Sequence, residues 1–213
     1  MLFNDRYSAG EQLAELLTVY KEAQDTLILG LPRGGVVTAY AVAQKLHLPL
    51  DVTCPRKIGA PFNPEFAIGA ITETGEGFFN EALITRLGIS KEYIAHEIKK
   101  ERERATARLK MFRRDLPPRQ LQGKTVILMD DGLATGATMK AAIASVRKEQ
   151  AEIVIVAVPV APLETLQEIQ ALVDQAFCLE TPSFFEAVGQ FYLHFTQVED
   201  AEVLALLQKN LII

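Results

Sequence analysis

Short apolar runs, each closed by glycine, proline or acid, alternate along the chain with stretches whose apolar positions recur every three or four residues. The runs at 26–31, 50–54, 125–129, 153–158 and 176–179 predict buried strands. Helical spacing predicts helices over 36–46, 138–149 and 163–173, with a last one from Ala201. Strand, glycine loop, helix, strand is a βαβ unit, so the strands are expected to run parallel. Near the start, Ser8-Ala9-Gly10 reads as a turn before an amphipathic helix with Leu13, Leu16, Leu17 and Tyr20 on one face.

The middle of the chain breaks this rhythm. Pro55, Gly59, Pro61 and Pro64 predict a long mobile loop over 55–64, followed by a hairpin of 66–72 and 77–80 around Glu73-Thr74-Gly75-Glu76. Residues 90–114 are dense in charge, yet Ile94, Ile98, Ala105, Leu109 and Phe112 keep helical spacing, so one long helix is expected, ended by Pro117-Pro118. Glu97, Glu101 and Glu103 interleave its bases, which favours a solvated face over a nucleic-acid arm. With no repeat and no linker in view, the expectation is one α/β domain over 1–213: an open, mostly parallel twisted sheet with helices on both faces, plus a small cap.

Composition narrows the function classes. Twenty-two Lys and Arg against 27 Asp and Glu give a net charge of −5, which argues against a protein built to hold nucleic acid. The longest apolar run, 153–161, is too short to span a bilayer, and no secretory signal opens the chain, so no membrane association is expected. Cys54 and Cys178 lie far apart and outside any CxxC, which points to a reducing, cytoplasmic setting. His47, His96 and His194 lack metal-ligand spacing.

The chemistry concentrates in Val126-Ile-Leu-Met-Asp-Asp-Gly-Leu-Ala-Thr-Gly-Ala-Thr138. Four apolar residues form an interior strand, Asp130 and Asp131 sit at its C-terminal end, and small and hydroxyl residues then open a helix. Such a loop is an anion site, because unpaired amides and the helix dipole both favour negative charge. Gly136 allows close backbone approach, and Thr135 and Thr138 add hydroxyl donors beside Ala134 and Ala137. A plain strand–helix turn capped by Asp130 would explain one acid and leave the other unexplained. Neither GxxxxGK[ST] nor GxGxxG is present.

At these residues the chain resembles the type I phosphoribosyltransferases, whose signature is four apolar residues, two acids, a short spacer and a Thr-Gly-rich loop. The resemblance extends over about 26–179. It implies that Ala134, Thr135, Gly136, Ala137 and Thr138 hold the 5′-phosphate of 5-phosphoribosyl-1-pyrophosphate (PRPP). Asp130 and Asp131 would hold ribose hydroxyls or a Mg²⁺ ion, directly or through water. Pro32-Arg33-Gly34-Gly35 falls where the family has its pyrophosphate loop, with an unusual, cis peptide near Arg33; a plain helix-opening loop is the other reading. Arg56 and Lys57 fall at the opening of the family's catalytic flexible loop, or are charges on a surface loop. The tail, with Phe184, Phe185, Phe191, Tyr192 and Phe195, corresponds to the family's hood (about 181–213 with the N-terminal helix, over a core of about 24–180), or simply packs.

The function so implied is transfer of the phosphoribosyl group from PRPP to a nucleobase-like nitrogen, with Mg²⁺-dependent release of pyrophosphate. Hypoxanthine–guanine members carry an aspartate where this chain has Ala134, which disfavours that class. Glu73, Glu180 and Glu186 are candidates for a general base. Two alternatives stay open: a non-catalytic PRPP- or nucleotide-sensing regulator, and a hydrolase. Relatives often pair as homodimers, an assembly equally open here.

Overall fold

In the structure, a computed structural model describing residues 2–117 and 119–211, the predicted strands assemble into one parallel sheet. Its strands are β1 (Thr26–Gly30), β2 (Leu50–Val52), β6 (Thr125–Met129), β7 (Ile153–Val160) and β8 (Gln175–Glu180), in the order β2-β1-β6-β7-β8. Both faces are covered, so these strands read as unbroken apolar runs. On β1, Ile28 faces α1 (Arg6–Leu16), α2 (Gly34–Leu46) and α7 (Asp200–Asn210). Leu27 and Leu29 face the other way, onto α5 (Ala137–Lys148) and α6 (Leu163–Gln170).

A second sheet of three antiparallel strands, β3 (Arg56–Ala60), β4 (Asn63–Ile71) and β5 (Gly77–Phe79), is followed by α3 (Glu81–Leu87) and α4 (Lys91–Phe112). Here the sequence expectation needs correcting. Residues 55–64 are not a long loop: Arg56 to Ala60 pair with β4, and Ile58 and Ala60 are fully buried among Ile68, Ile71, Ile84 and Ile89. Alternation of Ile58 and Ala60 carries the strand, while Gly59 sits at a register shift that the Pro and Gly content announced as loop. The hairpin around 73–76 forms as expected. The long helix also forms, capped by Ser90, whose side chain accepts from the Tyr93 amide; of the proline pair beyond it, Pro118 lies outside the described residues. Helix α3, capped by Asn80, was not anticipated.

The N-terminus differs too. Ser8-Ala9-Gly10 is no turn but the interior of α1, which begins at an Asp5–Ser8 capping box. Its buried face is Ala9, Gly10, Leu13 and Ala14, with Leu16 exposed. The segment before it meets the C-terminal tail: Phe3 bridges Tyr192, and the Phe3 amide donates to Phe191 O at 2.8 Å. The aromatics pack mainly on one another, with Phe3–Tyr192, Phe185–Phe191 and Tyr192–Phe195 ring centroids 5.1–5.4 Å apart. Among the described residues no helix is long and apolar enough to cross a membrane.

Candidate active site

In an open α/β sheet a crevice opens beyond the strand C-termini where the strand order reverses. That point lies between β1 and β6, which are paired along their whole length from Thr26↔Thr125 to Gly30↔Met129. The chain leaves β1 for α2 on one face and β6 for α5 on the other. The two glycine loops therefore flank the crevice.

After β6, Leu133 is tied back by its amide to Val160 O at 2.9 Å, and Thr165 Oγ1 donates to Ala134 O at 2.8 Å. These ties fix the loop without using its tip. Gly136 caps α5 at φ 69°, a left-handed conformation that costs a side-chain-bearing residue about 1–2 kcal/mol. The first helical amide to close a bond is that of Lys140, to Gly136 O at 2.9 Å. The amides of Ala137, Thr138 and Met139 thus lie at the open helix end, next to exposed Ala134 and Thr135.

Across the crevice, the Pro32–Arg33 peptide is cis. Gly34 has no room for a side chain: a Cβ there would overlap Asp131 Oδ2 and stand 2.6 Å from Arg6 Nε. Arg33 itself reaches Glu199, at 3.7 Å.

The two acids have different surroundings. Asp130 Oδ1 accepts from the Asp131 amide at 2.9 Å. Burial, reinforced by the charge of Asp131, pushes the Asp130 carboxyl well above the ordinary range. Asp131 Oδ2 is held by Arg6 Nε at 2.6 Å, and its carbonyl accepts from the Tyr192 hydroxyl at 2.6 Å. Burial, with Asp131 nearby, pushes the Tyr192 phenol up, so it stays a proton donor. Neither Arg6 nor Tyr192 was singled out as a site residue from sequence. Arg6 lies 125 residues from its partner, and no local pattern could have linked them.

Arg56 and Lys57 line a cavity of about 480 Å³ between β3 and α4 that Pro32 and Thr138 also line. Lys100, Arg104 and Arg108 share it with Glu97 and Glu101. Glu101 accepts from Arg56 at 2.9 Å and from Arg104 at 2.7 Å. One face of α4 is therefore part of the cleft wall rather than an outer solvated surface. The spacing of 97, 100, 101, 104 and 108 could have shown a single charged face.

Glu73 is corrected as a general-base candidate. It is buried in an ion pair with Arg119 at 3.0 Å, and Arg119 also binds Glu149, near the C-terminal end of α5. Glu180 ends β8, and Glu186 is exposed in the tail. Among the described residues no three His, Cys, Asp or Glu side chains come together as a metal cluster. Both cysteines are free; burial pushes the Cys54 thiol up to about 12.

The sheet is doubly wound, with a glycine-bearing loop after each of the two strands at its switch point, β1 and β6. The chain belongs to the phosphoribosyl transferase domain family, whose pattern matches residues 7–196. A Mycobacterium tuberculosis protein described as a phosphoribosyl transferase is 40% identical over 208 residues, 98% of this chain and 47% of that protein. The chain thus spans about half the length of that relative. The crystal structure of TT1426 from Thermus thermophilus superposes with a TM-score of 0.82 at 40% identity, covering 98% of this chain and 99% of that one.

Proposed function

We propose that the chain transfers the 5-phosphoribosyl group of PRPP to a ring nitrogen of a nucleobase-like acceptor, in a reducing cytoplasm. The observation that carries this reading is the pair of anion loops on adjacent strands with two carboxylates between them. A pentose bearing anions at both ends needs that sequence of donors, acceptors and donors.

In this reading the amides from Ala134 to Thr138 hold the 5′-phosphate, and Gly34 and Gly35 with Arg33 hold the pyrophosphate. Asp130 and Asp131 accept from the ribose hydroxyls and hold Mg²⁺ directly or through water. Two acids without a wider cluster suit an ion that arrives largely coordinated by substrate oxygens. When bound, Mg²⁺ neutralises charge on the pyrophosphate. The C1′–O bond to pyrophosphate breaks through an oxocarbenium-like transition state, a C1′–N bond forms, and the acceptor gives up its proton. The protein contributes positioning and charge, with Arg56 and Lys57 in a cavity that Pro32 and Thr138 also line. Ala134 provides no acid for a purine proton, which supports an acceptor outside the hypoxanthine–guanine class.

One observation favours a second reading, a PRPP-binding regulator. Arg33 and Arg56 are both engaged by the chain's own acids, Glu199 and Glu101. The test is pyrophosphate release from PRPP and Mg²⁺ across a panel of nucleobases, with Asp130→Asn/Asp131→Asn as control and PRPP binding followed by calorimetry. Acceptor-dependent release lost in the double variant supports the transferase. Binding without release on any acceptor supports the regulator, and absence of binding overturns both.

A further inference from the structure

We propose that Arg6 is a positioning residue for Asp131, and that it makes the acid pair compatible with a polyanionic ligand; this rests on the PRPP reading above. Two adjacent acids are a poor surface for a sugar carrying phosphates at both ends, since any charge they carry repels the ligand they are meant to hold. Arg6 offsets one of them. It comes from the first turn of α1, is only 8% exposed, and directs Nε onto Asp131 Oδ2 at 2.6 Å. Among the described residues it is the only cation paired with either acid.

Its other contacts fix where that charge points. Nη1 donates to Thr196 O at 2.8 Å, and the guanidinium lies over the Phe195 ring with Cζ 3.7 Å from the centroid. The planar group is thereby held at both edges and on a face, which leaves Asp131 one orientation for Oδ2. Gly34 then closes against both groups, so the pyrophosphate-side loop is packed directly on the Arg6–Asp131 pair. A staple joining the N-terminal helix to the tail would need only the Thr196 and Phe195 contacts. The bond to Asp131 carries the contact on into the crevice.

Charge balance gives the idea a signature that a purely structural role lacks. Removing Arg6 leaves the crevice more negative, so an anion should bind worse and a cation better. Calorimetry of PRPP without metal and electron paramagnetic resonance of Mn²⁺ alone would be run on the full chain, Arg6→Met, Arg6→Lys and Arg6→Met/Asp131→Asn. PRPP affinity is expected to fall about 10-fold or more in Arg6→Met while Mn²⁺ affinity rises. Arg6→Lys, with the charge but not the planar fork, should lie between. The double variant, which removes the Asp131 charge as well, should lose the gain in Mn²⁺ affinity shown by Arg6→Met. Equal loss of both ligands, or a Mn²⁺ gain that persists in the double variant, would overturn the proposal in favour of a staple. Unchanged PRPP affinity in Arg6→Met would overturn it alone, whereas a wild-type chain that ignores PRPP would overturn the reading beneath it as well.

Discussion

The crevice and the hairpin layer are held in different ways. At the crevice, position is set by backbone: two parallel strands in register, a glycine with no space for a side chain, and a helix end whose amides have no internal partner. The hairpin layer instead leans on α5 through a small apolar contact of Ala70, Ala137 and Ala141, and is fastened by side-chain charge. Arg119 is the centre of that fastening, binding Glu73 at 3.0 Å, Glu149 at 2.6 Å and Val52 O at 3.0 Å. Burial works against its charge, but Glu149 and Glu73 more than compensate, so it stays a cation. The difference teaches that geometry fixed by backbone fails through crowding, and geometry fixed by charge fails through loss of a partner.

The sharpest way to break the comparison is Arg119→Met. It leaves Glu73 and Glu149 without their buried cation and should cost about 3–5 kcal/mol in chemical denaturation, with amide exchange rising first in the hairpin. Next is Gly34→Ala, which crowds Arg6 and Asp131. PRPP affinity should fall about 100-fold with a smaller loss of stability, measured by calorimetry and thermal melting on the same sample.

Asp130→Asn should do the reverse for stability. Its folded pKa lies above its unfolded one, so its contribution is fully present below the unfolded value and is lost as pH rises through the folded value. The neutral amide should therefore melt about 2–4 °C higher at pH 8, with no advantage near pH 3, while PRPP binding is lost. The smallest effect is expected at Lys148→Ala. Its exposed pair with Glu76 fastens the same hairpin, yet should contribute less than about 0.5 kcal/mol in urea titrations. A larger value would mean that peripheral charges share the work of Arg119.

What could be read beforehand follows the same divide. The parallel strands announce themselves because both faces are buried, so Leu27, Ile28 and Leu29 need no alternation to be recognised. The acid pair and Gly136 are local chemistry, legible as an apolar strand followed by two acids and small residues. Strand β3 was hidden because Pro55, Gly59, Pro61 and Pro64 outweigh the two buried side chains that define it. Helix α1 was misplaced because Ser8 and Gly10, turn residues by habit, serve as cap partner and as close-packing point against Thr38 O. Arg6, Arg119 and the cleft-facing side of α4 depend on partners that only the folded chain supplies.

The three-way hold on Arg6 also sets an order of events during synthesis. Its partners lie 125 and 190 residues downstream, at Asp131 and Thr196. The parallel sheet can form as its strands emerge, but Arg6 gains its full hold only when the ring of Phe195 and the carbonyl beside it have left the ribosome. Until then only the bond to Asp131 is available to orient the Arg6 guanidinium.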